Sequence, residues 1–342
     1  MTTRRSGGRV RPVLLGTALA VVLLASIIVA VTIGPASIRF DEVWASIASH
    51  LGIGTSPLPL LRDGIVWQLR LPRILTAAAV GAGLAVSGAV MQAITRNPLA
   101  EPYLLGLSSG ASLGAVAVLL LGVALLLPLA AFLGAVIALA LTLLLASSLG
   151  AITPTRTVLA GLAVSSLAAA ITSLVIFWTA TGDSYREILG WLLGSLAGAR
   201  WPAVAIVYVA IVVAGVPILA TGRLLDSFAF GDTSAKALGV NVSATRWGLL
   251  AASALLTGAM VSVSGSIGFV GLILPHAVRL IAGPAHRALL PLSALFGAIF
   301  LVWADTAART LFAPRELPVG IVTAIIGAPV FAVLLARKRS ET

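Results

Sequence analysis

Few side chains in this sequence could do chemistry, and they are unevenly placed. Arg70-Leu71-Pro72-Arg73 sets two guanidinium groups three residues apart, on one face of a helix that Pro72 is suited to start. Two cations at the positive end of a helix dipole are locally unfavourable, so this corner should attract an anion. A lipid phosphate would serve, and so would a carboxylate on a docking protein. Asp305 and Arg309 have the i,i+4 spacing of a helical ion pair. Arg309 and Arg315, beside Glu316-Leu317-Pro318, extend the same basic surface if the helices meet. A second candidate is the string from Gly231 to Val240. There Asp232 or Thr233 can cap a short helix, Ala235 and Leu238 fall on one face, and Gly239 can end it. Such a helix either lies against the membrane surface or fits a groove on a partner.

The missing groups narrow the chemistry further. With no cysteine there is no disulfide, thiolate nucleophile or cysteine-held metal. His50, His276 and His286 are scattered, and His276 in Leu274-Pro275-His276 reads as a hydrogen-bonded structural residue rather than a metal ligand. Neither of the two lysines follows a glycine-rich phosphate-binding pattern, so the chain cannot hydrolyse nucleotide by that route. No acid cluster or Ser/His pair supports a membrane enzyme. Asp305 is the one carboxylate within a proposed span and lies near its end, so the central ionisable group of an ion-coupled carrier is lacking. Whatever energy drives the chain must come from elsewhere.

The elements that position these residues are hydrophobic. A chain that is 59% hydrophobic and 10% charged, with mean hydropathy +1.11, cannot coat a soluble globule of 342 residues. It reads as an all-α polytopic membrane protein. A hydrocarbon core of about 30 Å takes about 20 helical residues. That ruler gives ten spans, at 13–33, 74–94, 104–121, 129–149, 158–180, 203–221, 247–264, 266–282, 288–306 and 318–336. Gly122 and Pro128 mark the reversal between the third and fourth. The first follows four arginines but is too long for a cleaved signal, so it is read as retained. Residues 1–12 and 337–342 become terminal tails, 13–336 the transmembrane domain, and 222–246 its longest loop. Fourteen of the 22 basic residues fall on the side of the termini, which predicts both termini in the cytoplasm. The net charge of +11 therefore reports orientation rather than nucleic-acid binding. Ala77, Gly81, Ala85 and Ala89, with Gly88, give the second span a small-residue stripe for close helix packing. Gly81–Gly106 matches Gly258–Gly283 at eight of 26 positions with an offset of 177. Either chance in a low-complexity sequence or an inverted repeat of spans 2–5 and 7–10 accounts for this.

Five blocks taken together resemble the permease subunits of the iron-siderophore and cobalamin (FecCD-type) ABC importers. They are RLPR at 70–73, SGAVMQAITRNPLAEPYLLGLSSGA at 87–111, SAKALGV at 234–240, GSIGFVGLILPHAVRL at 265–280 and ADTAARTLFAPRELPVGIVTAIIGAPVF at 304–331. The resemblance covers residues 65–336, and the first 64 match only in general character. It implies a type II importer permease of ten helices, in a bacterial cytoplasmic membrane, paired with a second permease as a homodimer or paralogous heterodimer. Two cytoplasmic ATPases would bind ATP and Mg, with no cofactor in this chain, and an external binding protein would deliver the substrate. By position, the resemblance implies that Arg70, Arg73 and Arg309 grip glutamates of that binding protein, which displaces lipid as the expected anion. It implies that Asp232, Ala235, Leu238 and Gly239 form the coupling helix on the ATPase. It places an outer gate around Tyr185, Trp191 and Leu192. The expected cargo is an iron(III)-siderophore complex, with cobalamin or haem as alternatives in the same family and an ion-coupled secondary transporter as the rival class.

Overall fold

The computed structural model describes residues 7–34, 36–148, 153–179, 181–228 and 231–339, and these are helical throughout apart from their connections. The order is α1 (Gly7–Thr32), α2 (Phe40–His50), α3 (Leu60–Thr95), α4 (Leu107–Leu120), α5 (Leu127–Ser148), α6 (Pro154–Thr179), α7 (Gly182–Leu192) and α8 (Trp201–Ala220), then α9 (Gly222–Phe228), α10 (Asp232–Ala237), α11 (Val242–Ser264), α12 (Val270–Ala282), α13 (His286–Thr310) and α14 (Val319–Arg339). Seven of these helices are long and apolar enough to cross a membrane. Shorter apolar helices, α4, α12 and the apolar part of α14, occupy the other three positions at which the sequence predicts a crossing. Parts of the two tails lie outside the described residues.

Helix α3 is the centre of the bundle, and its small-residue stripe has the partners that packing in lipid requires. A Cβ on Gly81 would sit 2.1 Å from the Gly297 carbonyl oxygen of α13, and one on Gly88 would sit 1.9 Å from that of Gly271 in α12. Only hydrogen at both places allows the backbones to approach so closely. Ala77, Ala85 and Ala89 are fully buried between them.

At about 1.5 Å per residue, α4 and α12 reach only about 20 Å, short of the hydrocarbon thickness. The predicted spans 104–121 and 266–282 are therefore helical only in part. The rest is irregular backbone, with left-handed φ at Gly106, Gly265 and Phe269. Buried irregular backbone must find partners inside the protein. The Tyr103 hydroxyl donates to the Ile267 carbonyl at 3.0 Å and accepts from the Ile267 N–H at 3.2 Å. Ser108 bonds Ser266, Thr142 donates to the Leu105 carbonyl, and the Ser195 N–H donates to the Ser264 carbonyl at 2.8 Å. Gly194 accepts from the Gly320 N–H at 3.1 Å. Breaks in four segments thus satisfy one another at one interior node.

The succession long, short, long, long recurs, as 25, 14, 22 and 26 residues from Leu71 to Thr179 and as 23, 13, 25 and 21 from Val242 to Arg339. That succession fits a repeat of spans 2–5 in spans 7–10. The offset of 177 does not fit it, because it pairs Gly88, inside α3, with Gly265, where α11 ends. The two Val-Ser-Gly strings do different work: one is a helix crossing and the other a helix terminus.

Candidate functional site

Two polar regions stand at opposite ends of α3, about 37 Å apart along the 25 residues from Leu71 to Thr95. At the first, the π-helical turn Ile65–Arg70 leads into Leu71 and presents Arg70 and Arg73 to different neighbours. Arg70 donates to the carbonyls of Val31, Thr32 and Ala36. Gly34 leaves the space for this guanidinium, since a Cβ there would lie 2.8 Å from its Nη2. Arg309 donates to Ile33 at 2.5 Å and Ala30 at 2.6 Å. Helix α1 ends at Thr32, and two arginines from other helices cap the carbonyls at and just beyond that end. Arg73 instead meets Asp305, with three N–H···O contacts of 2.9–3.1 Å, and its Nη1 donates to Glu316 at 2.7 Å. The i,i+4 partner of Asp305 is the weaker one, because Arg309 Nε stands 3.9 Å away with its fork turned to α1.

The three arginines that the sequence singles out are thus brought together, as is Glu316. Each arginine is at most 9% exposed and already engaged inside the chain, whereas Glu316 stands at the rim. They line a cavity of about 440 Å³, with Arg200 at its exposed edge. Arg200 was not singled out in the sequence; only its place on the same side as Arg70 pointed to it.

At the other end, α10 is a single short helix. Its N-cap is Gly231, at φ +93°, rather than Asp232 or Thr233. The Asp232 carboxylate turns sideways to Arg246 of α11 at 2.9 and 3.1 Å, with Arg96 at the end of α3 3.8 Å away. The C-terminus follows expectation: Gly239, at φ +80°, donates to Lys236, and Val240 donates back to Ala235. Ala235 and Leu238 do not share a face as the spacing suggests. The helix ends at Ala237, so Ala235 is buried against Phe228 and Val242 while Leu238 is 70% exposed. One face anchors the helix and the other is presented outward.

The gate residues lie on α7. Tyr185 is exposed, while Trp191 and Leu192 pack with Ile188 against Val116 and Leu119 of α4. The C-terminal end of α7 feeds the interior node through Gly194.

At that node the structure reveals a residue that sequence reasoning passed over. Glu101 lies among the irregular segments and accepts the Phe269 N–H. Burial pushes its carboxyl up to about 7, with the Phe269 bond pulling the other way. Burial also raises the neighbouring Tyr103 hydroxyl. An ionisable group stands out in sequence only within an apolar span, and Glu101 sits in a connection that folds back into the bundle. Gln92 was missed likewise. It donates to the Leu272 carbonyl at 2.9 Å and accepts from Arg279 at 3.2 Å, tying α3 to α12. Among the described residues no group of three or more His, Asp or Glu could hold a metal ion.

Comparison with known proteins extends over nearly the whole chain. The model of the FecCD transport family matches residues 22–337. The cobalamin import system permease protein of Halobacterium salinarum is 41% identical, over 95% of this chain and 96% of that protein. The hemin transport system permease protein of Yersinia pestis is 38% identical over 98% of each. A solved structure of a metal-chelate type ABC transporter in an inward-facing conformation superposes with a TM-score of 0.82 at 34% identity, covering 95% of this chain and 99% of that one.

Proposed function

This chain belongs to the FecCD transport family and is an ABC importer permease, not itself an enzyme, and from that premise we propose how its two ends are used. The arginine end faces outward and receives an exported substrate-binding protein, whose acidic side chains approach the cavity at Arg70, Arg73 and Arg309. The α10 end faces the cytoplasm with both termini and docks an ATPase that binds ATP and Mg. A second permease completes the pathway, and two ATPases drive it from the bacterial cytoplasmic membrane.

The single observation that carries this reading is the mounting of α10. Its buried face is fixed by Ala235, its flank is held by the Asp232–Arg246 pair, and Leu238 projects into open space. Exposed leucine on a rigid mount is what a partner groove can grip and push. Movement there has a route inward, because Asp226, at the end of α9, accepts the His286 N–H at 2.8 Å and bonds its ring at the start of α13. The chain then alternates between outward and inward access without covalent chemistry.

The cargo we propose is an iron(III)-siderophore complex. A corrin or porphyrin chelate is the second reading, favoured by the relatives whose names specify cobalamin and hemin. Reconstitution tests the mechanism: uptake into vesicles should require ATP, the ATPase and the binding protein together. Uptake by the permease alone under an ion gradient would establish a secondary transporter instead. Titrating the binding protein with ferric siderophores, haem and cobalamin identifies the cargo.

A further inference from the structure

The arginine cavity already contains a carboxylate, and its place is unlike that of the other acid nearby. Asp305 is 1% exposed, sits on α13 and meets Arg73 through three N–H···O contacts. Glu316 is 39% exposed, sits at the rim on the connection between α13 and α14, and meets Arg73 through Nη1 alone. The remaining guanidinium groups are not exchangeable on the same terms. Arg70 and Arg309 hold the carbonyls at and just beyond the end of α1, and withdrawing either would leave those acceptors unpaired. The one ligand on a partly exposed side chain is Glu316, which can turn to solvent at the cost of its single contact with Arg73.

We propose that Glu316 is a built-in occupant of the cavity, holding Arg73 Nη1 until an acidic side chain of the binding protein takes its place. This rests on the reading that the arginine end is the docking face. Exchange of one carboxylate for another preserves the contact chemistry. Four arginines, Arg70, Arg73, Arg200 and Arg309, against two carboxylates, Asp305 and Glu316, leave an excess of two positive charges to draw the incoming acid. Displacement also has a consequence inside the protein. The connection carrying Glu316 returns through the Leu317 N–H on the Ala308 carbonyl, and four residues after Glu316 the Gly320 N–H bonds Gly194 at the node. A carboxylate arriving from outside would therefore remove one tie on the segment that starts α14 and leave these two backbone bonds to hold it.

The test measures the affinity of the assembled transporter, in lipid nanodiscs, for its labelled cognate binding protein. Glu316→Gln removes the competing charge, and Glu316→Asp keeps the charge but withdraws it by one methylene. Both should bind the partner roughly three- to fivefold more tightly, on the scale of one ion pair whose carboxylate sits at the rim. Glu187→Gln removes the same charge from exposed α7 and controls for long-range attraction; it should stay within about twofold of wild type. Arg200→Glu, at an exposed position, should weaken docking about tenfold or more. If Arg200→Glu weakens docking but neither Glu316 variant tightens it beyond the Glu187 control, the role of Glu316 is overturned. If Arg200→Glu has no effect either, the docking reading itself fails.

Discussion

Replacing Leu238 by Asp separates partner docking from folding. Leu238 is 70% exposed in the isolated permease, so the substitution removes little internal packing, and the turn at Gly239 is kept. Fully burying a leucine contributes about 1.5–3 kcal/mol, and seven-tenths of that is roughly 1–2 kcal/mol lost from docking. An unpaired carboxylate forced into an apolar groove adds at least about 2 kcal/mol more. Together these exceed about 3 kcal/mol, which is more than 100-fold in affinity for the ATPase. The assay is co-purification with the ATPase, followed by ATP-driven uptake in proteoliposomes. The expected outcome is a permease that melts like wild type, loses its ATPase and no longer couples hydrolysis to uptake. Ala235→Asp, three residues earlier, should instead unseat α10 from Phe228 and Val242 and lower thermal stability. Coupled uptake within twofold of wild type in a normally folded Leu238→Asp permease would refute the assignment of α10.

The remaining predictions concern the scaffold behind the two ends. Gly88→Ala must push α3 from α12 by more than 1 Å, because its Cβ would lie 1.9 Å from the Gly271 oxygen. It should cost about 3 kcal/mol and several degrees of melting temperature, whereas Gly248→Ala, in open space on α11, should be neutral or slightly stabilising; equal melting of the two would disprove the close crossing. The Glu101 carboxyl, raised from 4.5 to about 7, holds a proton in the folded state that the unfolded chain has already released between those values. Stability should therefore fall as pH rises from about 4.5 to 7 and stay level above, and Glu101→Gln should melt higher than wild type at pH 8 but alike at pH 4. Arg70→Leu should leave the Val31, Thr32 and Ala36 carbonyls without their donor, costing about 3 kcal/mol. Limited proteolysis between α1 and α2 should then accelerate, and an unchanged cleavage rate would remove the capping role.

Much of the scaffold was legible because hydrocarbon demands uninterrupted apolar length. That demand placed the seven helices long enough to cross, and Gly122, with its left-handed φ, marks the reversal inside the charge-free stretch. The short helices α4 and α12 were less legible. Hydropathy registers apolar side chains whether or not the backbone is helical, so the breaks at Gly106 and at Gly265–Phe269 were hidden inside apparently continuous spans. The repeat shows the same limit, since the matching Val-Ser-Gly strings proved to occupy different structural roles. Ala235 and Leu238 were assigned a common face by helical spacing, and the cap at Gly239 changes their directions.

Residue type and order suffice to mark a membrane permease, because composition and the five family blocks are written along the chain. They also single out Arg70, Arg73 and Arg309, since cations are costly near a bilayer and stand out there. What those cations hold follows from helix packing instead. A guanidinium offers five donors, and whether they meet carbonyls of α1, Asp305, Glu316 or solvent depends on which helices converge. That convergence is set by glycine contacts between residues more than 180 positions apart, such as Gly81 with Gly297 and Gly88 with Gly271.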